Sequence, residues 1–248
     1  MEAHPTPEAL DQQKRNAATA ALRWVRDGMI LGLGSGSTAA HFVAALGMFL
    51  RSGDLAVRAV ASSNNTEKLA RAAGIPLLTP NRGQCVDLTV DGADEIAPDL
   101  SLLKGRGGAL LREKVLARAA RFFLVIVDSS KPVDRLGVGP LPVEVIPFAL
   151  PWVWDRLEAM GARVSLRRQP GLLQQPFLTD QKNYILDCRF GIIENPSALD
   201  AGLRGIPGIV EHGLFLGCVG AALIGDALGV LLLRPDGVSE RMDVASSR

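Results

Sequence analysis

Four short, nearly continuous apolar runs, Met29 to Leu33, Leu55 to Ala61, Val86 to Val90 and Phe122 to Val127, alternate with amphipathic stretches over 38–50, 65–73 and 108–120. A strand that is apolar on both faces must be covered on both, and helices returned between successive parallel strands do this. The alternation predicts an α/β domain built on a parallel sheet. One more helix precedes it. Thr6 before Pro7 and Glu8 reads as a helix start, and Leu10, Ala17, Ala21, Leu22 and Val25 recur at helical spacing up to Asp27-Gly28.

Past Lys131 the texture changes. Pro132, Pro140, Pro142 and Pro147 crowd a stretch that can be neither an uninterrupted helix nor a central strand. A domain boundary belongs here. A helix at about 151–160, strands at about 162–168 and 183–189 and a helix at about 197–204 predict a smaller α+β unit, an antiparallel sheet with helices on one side. The apolar runs 208–217 and 219–233 are expected to return to the first sheet, and Val238 to Arg248 to be loosely ordered. The expected domains are therefore 1–135 with 209–248, and 136–208.

Composition narrows the partners. A chain of 248 residues, 48% of them hydrophobic, can build a proper core, while a formal charge of +1 without a basic block argues against nucleic acid or an anionic membrane as partner. Cys85, Cys188 and Cys218 are widely spaced and read as buried thiols. The polar start MEAHPTPEALDQQKR does not resemble a secretory signal, and the apolar stretch Val219 to Leu233 is broken by Asp226 and glycines. A cytoplasmic location is the expectation.

GLGSGST (Gly32 to Thr38) sits between the first strand and the next helix, where glycine flexibility, backbone amides and the hydroxyls of Ser35, Ser37 and Thr38 suit a compact anion. A tight turn without a ligand is the plain alternative. After the strand VDLTV, DGADE places Asp91 and Asp94 at the carboxyl end of a parallel strand, the edge where open α/β sheets bind ligands. They could contact sugar hydroxyls; otherwise Asp91 closes a turn and Asp94 caps a helix. KGRGGALLREK then sets Lys104 and three glycines before a helix carrying Glu113, a candidate proton acceptor unless it is an ordinary exposed glutamate beside Arg112 and Lys114. Lys131, after FFLVIVDSS, ends another strand, and Lys14 and Arg15 on the first helix are weaker candidates.

Other chemistries find less support. His4, His41 and His212 are far apart and form no metal-binding pair, so no metal is expected, and no serine lies in a G-x-S-x-G elbow. Gly32, Gly34 and Asp54 partly imitate a dinucleotide fingerprint, but Gly36 falls one position early, where Ser37 stands in place of the third glycine, and Asp54 precedes the second strand.

Taken in order, GLGSGSTAAHF, ASSNNTEKLARAAGIPL, DLTVDGADEI, KGRGGALLREK, VDSSKPVDRLG and PLPVEVIPFA, followed by LTDQKNYILDCRFG and IPGIVEHGLF, resemble the type A ribose-5-phosphate isomerases over most of the chain. The resemblance implies a Rossmann-like domain with a smaller ferredoxin-like α+β domain inserted near its C-terminal end, and a homo-oligomer, dimer or tetramer. It implies metal- and cofactor-free interconversion of ribose 5-phosphate and ribulose 5-phosphate. Glu113 would be the base, and Asp91, Asp94, Lys104 and Lys131 would contact substrate, with Gly92, Ala93, Gly105, Arg106 and Gly107 in the adjoining turns. Ser35, Gly36, Ser37 and Thr38 would hold the phosphate, with Lys14 approaching it. Two features depart from the family pattern: Arg106 interrupts a run that is typically all glycine, and the tail RMDVASSR has no counterpart. The intact set of Asp91, Asp94, Lys104 and Glu113 argues against a non-catalytic sugar-phosphate sensor, and another enzyme on a similar scaffold, such as a deaminase, lactonase or coenzyme A transferase, would need different catalytic motifs.

Overall fold

The structure, a computed structural model, describes residues 5–53 and 55–242, apart from the Leu173 side chain. His4, Asp54 and the tail from Asp243 lie outside the described residues. The chain divides into two compact units, one of Met1–Ala93, Val115–Lys131 and Cys218–Arg248, the other of Asp94–Lys114 and Pro132–Gly217.

The first unit holds a seven-stranded sheet in the order Ser239–Met242, Gly229–Leu233, Ala221–Asp226, Ala120–Asp128, Val86–Asp91, Ile30–Leu33 and Arg58–Ala61. The last five strands run parallel, as the alternating pattern predicts, and the first two add an antiparallel edge. Helix Pro7–Ala21 starts where the sequence places it, with the Thr6 hydroxyl accepting from the Ala9 N–H at 3.2 Å. Its buried Ala17, Ala18 and Ala21 let it lie close to the sheet. A Cβ on Gly225 would fall 2.0 Å from the Gln13 carbonyl oxygen, so only glycine admits the helix there. Leu31, Leu33, Phe42, Leu46, Val90, Leu124, Ile126 and Leu223 fill the core.

The second unit centres on a four-stranded antiparallel sheet in the order Ile209–His212, Leu141–Val145, Tyr184–Arg189 and Arg163–Leu166, accompanied by helices Leu150–Ala159 and Pro196–Arg204. Leu214–Phe215, Leu102–Leu103 and Glu95–Ile96 form a small antiparallel sheet, and Arg168–Gln169 pairs with Leu172–Pro176 as a hairpin. Val143, Val145, Val153, Leu157, Leu186 and Leu203 are the core of this unit.

Three expectations fail. The run 208–217 does not return to the first sheet: Ile209–His212 pairs with Leu141–Val145 and Leu214–Phe215 with Leu102–Leu103. Apolarity identifies a buried strand but not the sheet that accepts it. Ser239–Met242, placed in a loose tail, is ordered by pairing with Gly229–Leu233. Leu141–Val145 is a central strand despite Pro142. The Pro142 carbonyl accepts from the Gly213 N–H at 2.8 Å, just past the end of the strand Ile209–His212, and a residue's N–H and C=O point the same way along a strand. The missing donor therefore faces a flank where no strand remains to use it.

Among the described residues, no helix is long and apolar enough to cross a membrane.

Candidate active site

In the first unit, the strand Ile30–Leu33 runs through Gly34 and Ser35 into the helix Gly36–Leu50. The glycines have different causes. A Cβ on Gly32 would meet the Thr89 hydroxyl at 2.1 Å and one on Gly34 would meet the Asp91 carboxylate at 2.1 Å, whereas Gly36 faces open space and is required for its φ of 86°. Asp91 is fully buried, and its Oδ1 accepts from the Ser35 N–H at 3.0 Å and the Gly92 N–H at 2.7 Å. The carboxylate thus ties the loop to the neighbouring strand Val86–Asp91.

Ser35 occupies the N-cap position without capping the helix through its side chain. Its hydroxyl is 2.7 Å from that of Ser62 and 3.2 Å from that of Thr66, and Thr66 donates to the Gly34 carbonyl at 2.8 Å. The first N–H groups of the helix lie beside exposed Gly36 and Ser37 and buried Thr38, and helix starts of this kind suit anions. Half-buried Gly92 borders this loop, since a Cβ there would lie 3.9 Å from the Thr38 Cβ, and Ala93 follows it, also half-buried.

Lys14 is drawn toward the turn after the strand Ala120–Asp128. Its Nζ lies 3.9 Å from Oδ2 of buried Asp128, whose Oδ1 accepts from the Ser130 N–H at 3.0 Å. Gln13, next along the helix, accepts from the Ser129 N–H and hydroxyl at 3.1 and 2.8 Å. Half-buried Lys131 belongs to the same turn, its N–H donating to the Asp128 carbonyl at 3.2 Å. Arg15 instead makes a surface pair with Asp11 and does not join this group.

In the second unit, Lys104 directly follows the strand Leu102–Leu103, and Glu113 lies in the first turn of the helix Leu110–Ala119. Lys104 Nζ is 3.2 Å from Glu113 Oε2, with the side chains only 3% and 5% exposed. Glu113 is therefore not the ordinary solvated glutamate of its neighbourhood. The Lys104 ammonium also stands 5.5 Å from the centre of the Phe215 ring. Between Lys104 and the helix, Gly105 (φ 104°) and Gly108 (φ 83°) take left-handed angles, and a Cβ on either would strike Leu110 or Phe177. Arg106 needs no such angle, so an arginine fits where the family pattern has glycine. Its N–H donates to Asp94 Oδ2 at 2.9 Å, and its half-exposed guanidinium stays 3.9 Å from Asp94 Oδ1. Exposed Gly107 follows it.

Several residues that hold this group carry no sequence signal. Buried Glu95 accepts from the Gly137 and Gly139 N–H groups at 2.7 and 2.5 Å. Arg112 reaches Asp180 at 3.6 Å, and the Lys114 Nζ donates to Glu211 at 2.7 Å and to the His212 carbonyl at 2.6 Å. Three successive helix residues are thus pinned in three directions. Burial lowers the Lys114 pKa, partly offset by Glu211. Burial alone would raise Glu211, but the Lys114 ammonium and the His212 N–H and ring together outweigh it and hold the carboxyl below its usual range. Burial, reinforced by Lys114, pushes His212 down to about 4, and its Nδ1 accepts from the Leu214 N–H at 3.3 Å. Glu144, paired in register with Glu211, is raised by burial although Thr179 and Asn183 donate to it.

Among the described residues, no three His, Cys, Asp or Glu side chains gather as a metal site. A glycine-and-hydroxyl loop at a helix start and a sealed lysine–glutamate pair remain as the chemistry-bearing groups.

The sequence profile of ribose 5-phosphate isomerase A (phosphoriboisomerase A) matches residues 58–229. The chain belongs to the ribose 5-phosphate isomerase A family. A ribose-5-phosphate isomerase A from Gloeobacter violaceus is 49% identical over 228 residues, covering 91% of this chain and 97% of that protein. A solved D-ribose-5-phosphate isomerase in complex with phospho-erythronic acid superposes with a TM-score of 0.88 at 36% identity, covering 91% of this chain and 99% of the other. The ribose 5-phosphate isomerase A of Methanocaldococcus jannaschii gives 0.86 at 39% identity, covering 90% and 99%. An isomerase family fits a chain that has neither a serine-nucleophile motif nor a complete dinucleotide fingerprint.

Proposed function

We propose that the protein interconverts ribose 5-phosphate and ribulose 5-phosphate by proton transfer through an enediolate, with Glu113 as the base and no metal required. The observation that carries this reading is the 3.2 Å approach of Lys104 Nζ to Glu113 Oε2 in a nearly sealed setting. A carboxylate placed over two adjacent carbons can take the C2 proton and return it to C1. The neighbouring ammonium supplies positive charge for the oxygen on which negative charge develops, and it acts strongly because water is excluded.

Asp94, whose carboxylate is one-fifth exposed, is the better placed of the two aspartates to help open the sugar ring. Asp91 is fully buried and occupied with the Ser35 and Gly92 amides. The start of the helix Gly36–Leu50, with Ser37, Thr38 and the cations Lys14 and Lys131, takes the phosphate. Phosphate binding, remote from the reacting carbons, holds the open chain in place, so unphosphorylated ribose reacts poorly. The reading includes a cytoplasmic setting and assembly as a dimer or tetramer, both resting on the sequence, and light scattering tests the assembly.

The deciding experiment is turnover of ribose 5-phosphate with excess chelator by the wild type and by Glu113→Gln. Wild-type activity should persist and the variant should lose about two to four orders of magnitude in kcat with the fold intact. Solvent deuterium should enter C1 during turnover in heavy water. Near-normal turnover by the folded variant would overturn the assignment of the base.

A further inference from the structure

We propose that Arg167 is a positioning residue for this reaction: it sets the orientation of two peptide planes in the Lys104–Gly108 turn and so aims the Gly107 N–H at the oxygen that becomes negative. The proposal rests on the isomerase reading above and adds to it a residue and a backbone donor.

Arg167 Nη1 donates to the Gly105 carbonyl and to the Arg106 carbonyl, both at 2.9 Å. The rest of the guanidinium is held by Asp187, with Nε 2.9 Å from Oδ2 and Nη2 on Oδ1. A two-pronged contact of this kind fixes the plane of the guanidinium as well as its place. Arg167 is only 13% exposed and its carbon Cζ lies 6.0 Å from the centre of the Phe177 ring, the ring that fills the space a side chain at Gly108 would need. The fork has little room to swing away.

The consequence for the loop is geometric. In a trans peptide the C=O and N–H of one plane point in opposite directions, and the chain has no cis bond among the described residues. Two consecutive carbonyls that converge on one nitrogen therefore send two consecutive N–H groups away from it. The first is the Arg106 N–H, found on Asp94 Oδ2 at 2.9 Å, which confirms the direction. The second belongs to Gly107, an exposed residue whose N–H has no acceptor among the described residues. Adjacent amides facing one side form an anion-binding concavity, and a preset donor of this kind stabilises an oxyanion without reorganising. Arginine suits the task because one planar group can meet two carbonyls and a carboxylate at once; lysine meets fewer.

The test compares Arg167→Met, Arg167→Lys and Asp187→Asn with the wild type, each as the full-length enzyme with its folded fraction measured by circular dichroism and active-site titration. Losing a whole oxyanion donor typically costs about 100- to 1,000-fold in kcat, so a misaimed one should cost Arg167→Met about 10- to 100-fold. KM should stay within about threefold, because the Arg167 guanidinium bonds only to Gly105, Arg106 and Asp187 and to none of the residues proposed to hold the phosphate. Arg167→Lys should recover part of kcat, and Asp187→Asn should lower it severalfold. If the proposal holds, the carboxylate of phospho-erythronic acid meets the same donors, and affinity for that acid should fall in step with kcat/KM. A role confined to folding would lower the melting temperature and leave kcat per folded site unchanged. Turnover within twofold of wild type in folded Arg167→Met, or a loss appearing wholly in KM, would overturn the proposal. If Arg167→Met does not fold, unchanged kcat in Asp187→Asn overturns it instead. Glu113→Gln assayed alongside separates the two layers: an inactive Glu113→Gln beside a fully active Arg167→Met removes only the positioning role, whereas an active Glu113→Gln removes the isomerase mechanism beneath it.

Discussion

Replacing Gly34 with alanine should cost far more than the same change at Gly36, two residues on in the same loop. At Gly34 the new methyl would sit 2.1, 2.2 and 2.4 Å from Oδ1, Cγ and Cβ of Asp91, so the carboxylate must move. Overpacking of that kind costs about 1–3 kcal/mol. Moving Asp91 also breaks its bonds from the Ser35 and Gly92 N–H groups, each worth roughly 1.5–3 kcal/mol for a charged acceptor. The terms overlap, and a loss of about 4–6 kcal/mol follows. At Gly36 the methyl meets nothing within 4 Å, and the only cost is a side chain at φ 86°, about 1–2 kcal/mol. For a chain of this size the two changes should lower Tm by about 10 °C or more and by a few degrees, respectively. Urea and thermal unfolding of both variants measure the difference, and steady-state kinetics with ribose 5-phosphate should show a raised KM for Gly34→Ala. Equal stability of the two, or a milder effect at Gly34, would refute the claim that Asp91 anchors the loop.

Ser37→Ala should raise KM for ribose 5-phosphate about tenfold or more with kcat little changed, as expected for one lost hydrogen bond to a charged group; an unchanged KM in a steady-state assay would remove Ser37 from the phosphate site. His212, held down to about 4 by burial and by Lys114, makes stability depend on acid. The unfolded chain binds that proton at an ordinary pKa near 6.5, so the contribution is complete above that pH and is lost as pH falls from 6.5 toward 4. Urea unfolding should show this one residue removing about 2 kcal/mol between pH 7 and pH 5. A His212→Asn variant should lack that part of the slope, and an identical slope would show that other groups carry it.

The parallel sheet was legible because covering both faces of a strand leaves it mostly apolar: Phe122–Val127 reads as an unbroken apolar run, and Val86–Val90 is interrupted only by Asp87 and Thr89. The allegiance of Ile209–His212 and Leu214–Phe215 was not, since a strand's composition reports burial and not partners. Pro142 misled for a related reason. The rule against proline in a central strand assumes a neighbour on both flanks at that residue, and here the flanking strand ends at His212. The edge strand Ser239–Met242, built of Ser, Glu, Arg and Met, has no alternation to betray it.

The candidate site divides the same way, between groups proposed to meet the ligand and groups that hold them. Lys104, Glu113 and the hydroxyls after Gly34 stood out because glycine-rich turns at strand ends are rare and leave polar groups in reach of a ligand. Arg167, Glu95, Lys114 and Glu211 did not. Arg167 lies between Leu166 and Arg168 in a stretch that reads as an ordinary polar strand, and it acts on backbone oxygens 61 and 62 residues away, which no local spacing encodes. Asp91 shows both sides: its place after VDLTV suggests a ligand contact, and its full burial and two backbone partners also make it a bracket of the proposed phosphate loop. A carboxylate that accepts two amides from a loop gives that loop one shape before any anion arrives. The free energy of phosphate binding is then available for holding the sugar rather than for ordering the backbone. On this argument Asp91→Asn, which keeps the size of the side chain but weakens both bonds, should raise KM more than it lowers kcat.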